Sequence, residues 1–261
     1  MTTSSPFRYP ITAPERFARK LYSETLRRLG VVPLVMPAQG ARFLVDTTDL
    51  IDRWIAWEGM WEGPQLDALA RVCHAGPADY FLDVGANSGF YSVMIAIKGL
   101  AREVIAFEPD PGNFARFTAN LALNRLDGKV RALPYAVGAK AAEMTLNQAG
   151  AGNRGESWIV HPDQPPEEAA VVATHKVKQI RFDDEFHIAG KRIIMKMDVE
   201  GSEFHALAGM ERTLRDNQCY VQVELYSNRF DELKALFSRF GYQFLHTEYI
   251  DHFFTNMPDV G

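Results

Sequence analysis

The chain has 261 residues, 47% apolar and 23% charged, close to the globular average, which excludes wholesale disorder and leaves room for one α/β domain or nearly two. Its 28 basic and 33 acidic residues give a net charge of −5, so no basic excess points to a nucleic-acid partner. Cys73 and Cys219 show neither metal-ligand spacing nor a disulfide framework, no apolar run reaches the roughly 18 residues that span a bilayer, and the first twenty residues lack a signal-peptide stretch; a cytoplasmic protein without a transmembrane segment is expected.

The first dozen residues are rich in Ser, Thr and Pro and are expected to fray. A helix is expected from Pro14 to Gly30, with Phe17, Leu21, Tyr22, Leu26 and Leu29 on its apolar side and Arg16, Arg19, Lys20, Arg27 and Arg28 on the other. Such a helix either packs its apolar side on its own domain or rests on an anionic membrane or another subunit. A mixed stretch follows, with a helical segment near Pro64 to Cys73. From Tyr80 the pattern changes to strands alternating with helices. Strands are expected at Tyr80 to Val84, Glu103 to Glu108, Val130 to Val137, Arg192 to Val199 and Tyr220 to Leu225. Helices are expected at Gly89 to Ile97, Pro111 to Asn124 and Ser202 to Leu214, and after the fifth strand around Phe230, Leu233, Phe237 and Phe240. Tyr242 to Glu248 and His252 to Met257 read as a closing hairpin. The fold class is therefore α/β, a doubly wound parallel sheet ending in an antiparallel hairpin, with an N-terminal helical extension. The insertion at about 147–170, rich in Gly and Pro, breaks this rhythm and reads as a linker, a mobile surface loop or a lid.

Three groups of residues carry chemistry. Asp83-Val-Gly-Ala-Asn-Ser-Gly89 falls where the first strand turns into its helix, the place where open α/β sheets bind ligands. Gly85 permits the tight turn and Gly89 a close backbone approach. Asp83 would sit badly beside a pyrophosphate but well beside an ammonium group, and the Gly-x-x-x-Gly spacing is not that of a dinucleotide fold. Glu108 ends the second strand 23 positions after Gly85, near the spacing of a ribose-binding carboxylate. Pro109 stiffens the following turn, and Asn113 lies just inside the next helix. Lys196-Met-Asp-Val-Glu-Gly-Ser-Glu203 crowds Asp198, Glu200 and Glu203 around a glycine turn at the fourth strand's end, and Glu224 ends the fifth. Acids there suit a general base or a hydrated cation, while Glu200 and Glu203 also favour a helix N-terminus for structural reasons alone. Among the histidines, His161 and His175 flank the insertion, and His205 follows the helix start.

Taken in order, DVGANSGFYS, EPDPGNFARFTANLALN, RFDDEF, IIMKMDVEGSEFHALAGM and VQVEL resemble the FkbM family of S-adenosylmethionine-dependent methyltransferases over roughly Phe81 to Glu224. The resemblance implies a class I methyltransferase (Rossmann-like) fold and O-methylation of a hydroxyl on a sugar, glycolipid or polyketide-type small molecule. It implies that Gly85, Ala86, Asn87 and Gly89 line the methionine part of the cofactor, that Glu108 holds the ribose, and that Ala136 and Val137 border the adenine. Trp57 to Gly63 would cover the methionine end. The expected organisation is a 1–78 N-terminal extension, offering substrate or homo-oligomer contacts, followed by a methyltransferase domain over 79–261.

The reaction would be an in-line displacement assisted by a carboxylate general base, with Asp198 first and Glu200 or Glu224 next, or by a divalent cation such as Mg²⁺ bound by Asp198 and Glu224. Asp198 could equally hydrogen-bond the cofactor. Two competing classes are a nicotinamide-dependent oxidoreductase, disfavoured by the turn spacing and the terminal hairpin, and a non-catalytic nucleoside-binding module.

Overall fold

A computed structural model describes residues 5–73, 76–149, 157–163 and 170–260. Ahead of the first long strand come α1 (Ala13–Arg28), a hairpin of β1 (Leu34–Ala38) and β2 (Ala41–Val45), then α2 (Leu50–Glu58) and α3 (Gly63–Val72). Strands and helices then alternate as β3 (Ala78–Val84), α4 (Phe90–Lys98), β4 (Ala101–Phe107), α5 (Pro111–Leu123) and β5 (Val130–Leu133). A run of strands follows: β6 (Tyr135–Val137), β7 (Ala142–Ala149), β8 (Ser157–Ile159) and β9 (Val171–Ile180). The chain returns through α6 (Phe182–Glu185), β10 (Arg192–Met197), α7 (Glu203–Ala208), α8 (Glu211–Asp216), β11 (Gln218–Glu224) and α9 (Phe230–Arg239) to β12 (Gln243–Glu248) and β13 (Asp251–Thr255).

The main sheet has seven strands in the order β12-β13-β11-β10-β3-β4-β5. β11, β10, β3, β4 and β5 pair in parallel, and β13 runs antiparallel to both of its neighbours. Its central strands are apolar on both faces because both faces are covered. Phe81, Val104 and Ile194 join a core with Phe90 and Phe117, whereas Leu82, Ile105 and Met195 join another with Leu207 and Phe237. The first core also takes in Phe7, Leu34, Met36, Phe43, Ile55 and Leu66, so the segment before β3 shares it. Phe7 and Ile11 are buried, and the backbone N–H of Arg8 donates to the Gln39 side chain, so the fraying expected of the first dozen residues is not found from residue 5 onward.

Four further differences from the sequence reading have local causes. The expected strand Val130 to Val137 breaks at Pro134, which has no N–H for a ladder; β5 stays in the main sheet while β6 pairs with β9 in a second one. The expected helix Ser202 to Leu214 is two helices separated at Gly209, where a Cβ would lie 2.2 Å from the Gly138 carbonyl oxygen. The region of the insertion rests on a four-stranded sheet, β6-β9-β7-β8, in which the long arms β7 and β9 pair antiparallel; residues 150–156 and 164–169 lie outside the described residues. The hairpin of β1 and β2 turns on Gln39 and Gly40, both at positive φ, in a stretch whose apolar alternation is too short to stand out in the sequence.

Helix α1 departs most. Phe17, Leu21, Tyr22 and Leu29 are exposed, and Ser23 is the buried residue. The polar side meets α2 instead: Arg16 pairs with Glu58 at 2.7 Å, Lys20 lies over the Trp57 ring, and Arg19 donates to the carbonyls of Ala56, Pro37 and Ile55 at 2.9, 2.7 and 3.0 Å. These carbonyls of the last turn of α2 have few other donors, so a forked guanidinium outcompetes apolar burial at this contact. Replacing Arg19 with Met should cost about 1–3 kcal/mol in urea unfolding, the scale of charged hydrogen bonds withdrawn from half-buried acceptors. A loss below about 0.5 kcal/mol would mean that α1 is held otherwise.

Candidate active site

The site grows from the carboxyl ends of β3, β4, β10 and β11. Gly85, at φ 87, follows β3, and a Cβ there would fall 1.7 Å from the Asp198 carbonyl oxygen. The Asp198 N–H in turn donates to the Val84 carbonyl at 2.9 Å, so two strand tips are clasped backbone to backbone. Gly89 meets the Phe117 ring with equally little room. The Glu108 carboxylate accepts the Asn87 N–H on one oxygen at 2.7 Å and the Asp110 N–H on the other at 2.8 Å. Burial pushes its carboxyl up to about 8 despite those two donors.

A narrow cleft of about 50 Å³ opens here, and Gly85, Asn87, Glu108, Pro109, Asn113, Ala136, Val137, Asp198 and Glu200 line it. Asp83, Ala86 and Gly89, also expected at a cofactor, do not line it. Asp83 is fully buried and accepts from the Ser92 backbone and hydroxyl, tying β3 to α4. Three lining residues had no signal in the sequence: Ser157 and Ile159 from β8, and Ser202. The Ser157 hydroxyl donates to Asp110, and Ser202 shares a 2.9 Å hydrogen bond with His161 Nε2, whose ring stacks on His205. Burial, with His205 beside it, takes His161 down to about 4. The insertion's described residues thus brace one wall of the cleft.

The cleft adjoins a larger cavity of about 450 Å³ through Asn87, Asp198 and Glu200. Its other acids are Glu224, Glu62 and Asp251, and the rings of Trp54, Trp61, Tyr226 and Tyr249 supply apolar surface. Lys196 lies beneath, donating to Asp198 at 2.8 Å with its Nζ over the Tyr91 ring. Burial opposes its charge, but Asp198, Glu62, Glu224 and Asp83 together hold its proton more tightly than usual. Burial raises Glu224 to about 9, with Asp198 adding to it, and raises Glu62 to about 7. One carboxylate oxygen each of Asp198, Glu200 and Glu224 lies within 4.8 Å of the others. Glu203 stands apart: it accepts the Gly201 N–H at 2.8 Å and closes its own turn, the structural role open to it from sequence. Glu62 belongs to the Trp-Glu-Gly repeat of residues 57–63, a usable signal; Asp251 had none.

Strand order, the single reversed strand and a glycine turn facing an acid on the adjacent strand define a class I methyltransferase fold. Residues 83–244 match the FkbM methyltransferase domain, and the chain belongs to that family. Hexuronic acid methyltransferase AglP of Haloferax volcanii is 29% identical over 208 residues, 75% of each chain. Methyltransferase 1 of Beauveria bassiana is 27% identical over 171 residues, 59% of this chain and 68% of the relative. The solved FkbM methyltransferase of Methylobacillus flagellatus superposes on 94% of this chain and 71% of its own, with 16% identity and a TM-score of 0.47.

Raised carboxyls make stability depend on pH in a definite direction. The folded protein holds protons on Glu108 and Glu224 that the unfolded chain has already released, so stability falls as pH rises toward their folded values of about 8 and 9. Between pH 7 and 9 His161 is neutral in both states and does not oppose this. The melting temperature of the ligand-free protein should drop across that window, and Glu224→Gln should melt a few degrees above the wild type at pH 8.5 but level with it at pH 5. Identical slopes in the two proteins would refute the buried-proton account.

Proposed function

We propose that this protein transfers a methyl group from S-adenosylmethionine to a hydroxyl of a small-molecule acceptor, a sugar, glycolipid or polyketide-type alcohol. The observation that carries this reading is the union of two cavities at Asp198 and Glu200: a slot with a diol-accepting carboxylate, and an aromatic-walled chamber. The name of the AglP relative, a hexuronic acid methyltransferase, lends support to a sugar-like acceptor. When bound, the cofactor supplies an electrophilic methyl on a sulfonium sulfur.

The chain's own residues then have distinct tasks. Each Glu108 oxygen takes one backbone N–H and keeps further acceptor capacity for paired ribose hydroxyls. Ala136 and Val137 offer an apolar border for a base, with Pro109 and Asn113 near the ribose side. Gly85 and Asn87 let the backbone approach the methionine end. Lys196 keeps Asp198 in the carboxylate form needed to take a hydroxyl proton, whereas Glu224, raised to about 9, keeps its proton at neutral pH. Asp198 is therefore the preferred base. A second reading has a divalent cation such as Mg²⁺ held by Asp198, Glu200 and Glu224, whose oxygens are close enough to share one, acidifying the hydroxyl instead. Trp54, Trp61 and Glu62 all come from the segment before β3, so acceptor choice is assigned to residues 5–78. Among the described residues no helix is long and apolar enough to cross a membrane.

Calorimetry should detect S-adenosylhomocysteine binding and no binding of NAD(P)H; the reverse would favour an oxidoreductase. Glu108→Ala should weaken that binding about 10- to 100-fold, the scale of lost charged hydrogen bonds. Asp198→Asn should lower turnover on a hydroxyl acceptor by about 10²–10⁴ while leaving the binding of S-adenosylhomocysteine within a few-fold. Full turnover in EDTA would dismiss the cation; loss restored by Mg²⁺ would establish it.

A further inference from the structure

The far wall of the chamber gathers hydrogen-bond acceptors and leaves them short of donors. Glu62, at the left-handed φ of 47 immediately before α3, receives the Tyr91 hydroxyl at 2.7 Å on one carboxylate oxygen. Gln65 lies one turn along α3 and is 4% exposed. Its Nε2 donates to Asp251 at 3.1 Å, and Gln222 donates to the other Asp251 oxygen at 2.7 Å. That arrangement fixes which way the Gln65 amide points, because reversing it would set a carbonyl oxygen against a carboxylate. The Gln65 Oε1 is then left buried with no partner among the described residues, a state that costs free energy unless a donor arrives.

Charge is unbalanced in the same direction. Glu62, Asp198, Glu200, Glu224 and Asp251 line the chamber, and no Lys, Arg or His does. The Lys196 ammonium below is committed to Asp198. What the wall lacks is a compact cation with several N–H groups, which describes a primary ammonium and not a hydroxyl, a carboxylate or a phosphate.

We propose that Glu62, Gln65 and Asp251 form a receptor for a primary ammonium group on the ligand that fills the chamber. All three residues fall outside the 83–244 stretch that matches the family domain, so the receptor belongs to this chain's own additions to that domain. The ammonium has two chemical sources under the reading of the previous subsection, on which this identification rests: the amino-acid end of the cofactor, or an amine on the acceptor. An anionic sugar would meet this wall unfavourably, while an amino sugar or amino alcohol would meet it well. The raised carboxyl of Glu62 in the free protein accords with a group awaiting its counterion.

Two ligand pairs test this by calorimetry on the full chain in EDTA. The first is S-adenosylhomocysteine against its analogue lacking only the amino group. The second, with S-adenosylhomocysteine saturating, is glucosamine against glucose. In at least one pair the amine should bind about 10-fold tighter or more, and Glu62→Gln and Gln65→Met should each shrink that preference while leaving the amine-free member within about twofold. Preference in the first pair assigns the receptor to the cofactor, and in the second to the acceptor. If S-adenosylhomocysteine binds but neither pair prefers the amine, or if both variants keep the preference, the receptor is overturned and the methyltransferase reading stands. If S-adenosylhomocysteine fails to bind the wild type, that reading falls instead, and the second pair on the bare protein decides the receptor by itself.

Discussion

Everything at the carboxyl edge of the sheet depends on a contact that only glycine permits, the approach of Gly85 to the Asp198 carbonyl. Because β3 and β10 are clasped there, the loop that follows β3 and the acid that follows β10 are set by one constraint. From Gly85 the backbone reaches Asn87, whose N–H holds Glu108; from Asp198 a side chain reaches Lys196. The nucleoside-sized slot and the larger chamber therefore have a common origin. Any side chain at position 85 would separate the strand tips and disturb both at once.

Electrostatically the same edge is held under tension. A sheet whose central strands are buried on both faces offers little water to stabilise charge, yet six acids cluster at its rim around one lysine. Protons retained on Glu62, Glu108 and Glu224 relieve part of the repulsion in the ligand-free protein. A cationic ligand would relieve it more fully and displace those protons. Affinity for such ligands then follows from the fold's own unfavourable charge as well as from individual contacts.

Much of this was legible in the sequence. The βα alternation from Tyr80 onward, the glycine turn, Glu108 at its spacing and the acids after β10 all follow from local periodicity and turn chemistry, which survive into the fold because central strands are uniform environments. Pro134 and Gly209 carried readable signals for the breaks they cause, but deciding between a break and a continuation needed the second sheet and Gly138 in place. Asp83 looked like a ligand and is a strut, since Ser92, nine positions on, captures it inside the fold. Gln65 and Asp251 were invisible because their meaning comes from a hydrogen bond between residues 186 positions apart.

Helix α1 carries a consequence of another kind. Held by Arg16, Arg19, Lys20 and Ser23 with its aromatic and leucine side chains outward, it is an inside-out helix. Selection for folding acts there on its cations, which in most surface helices are the residues free to drift. Phe17, Leu21, Tyr22 and Leu29 can change without loosening the core, so their identity is a record of contacts made beyond this domain rather than of the requirements of its interior.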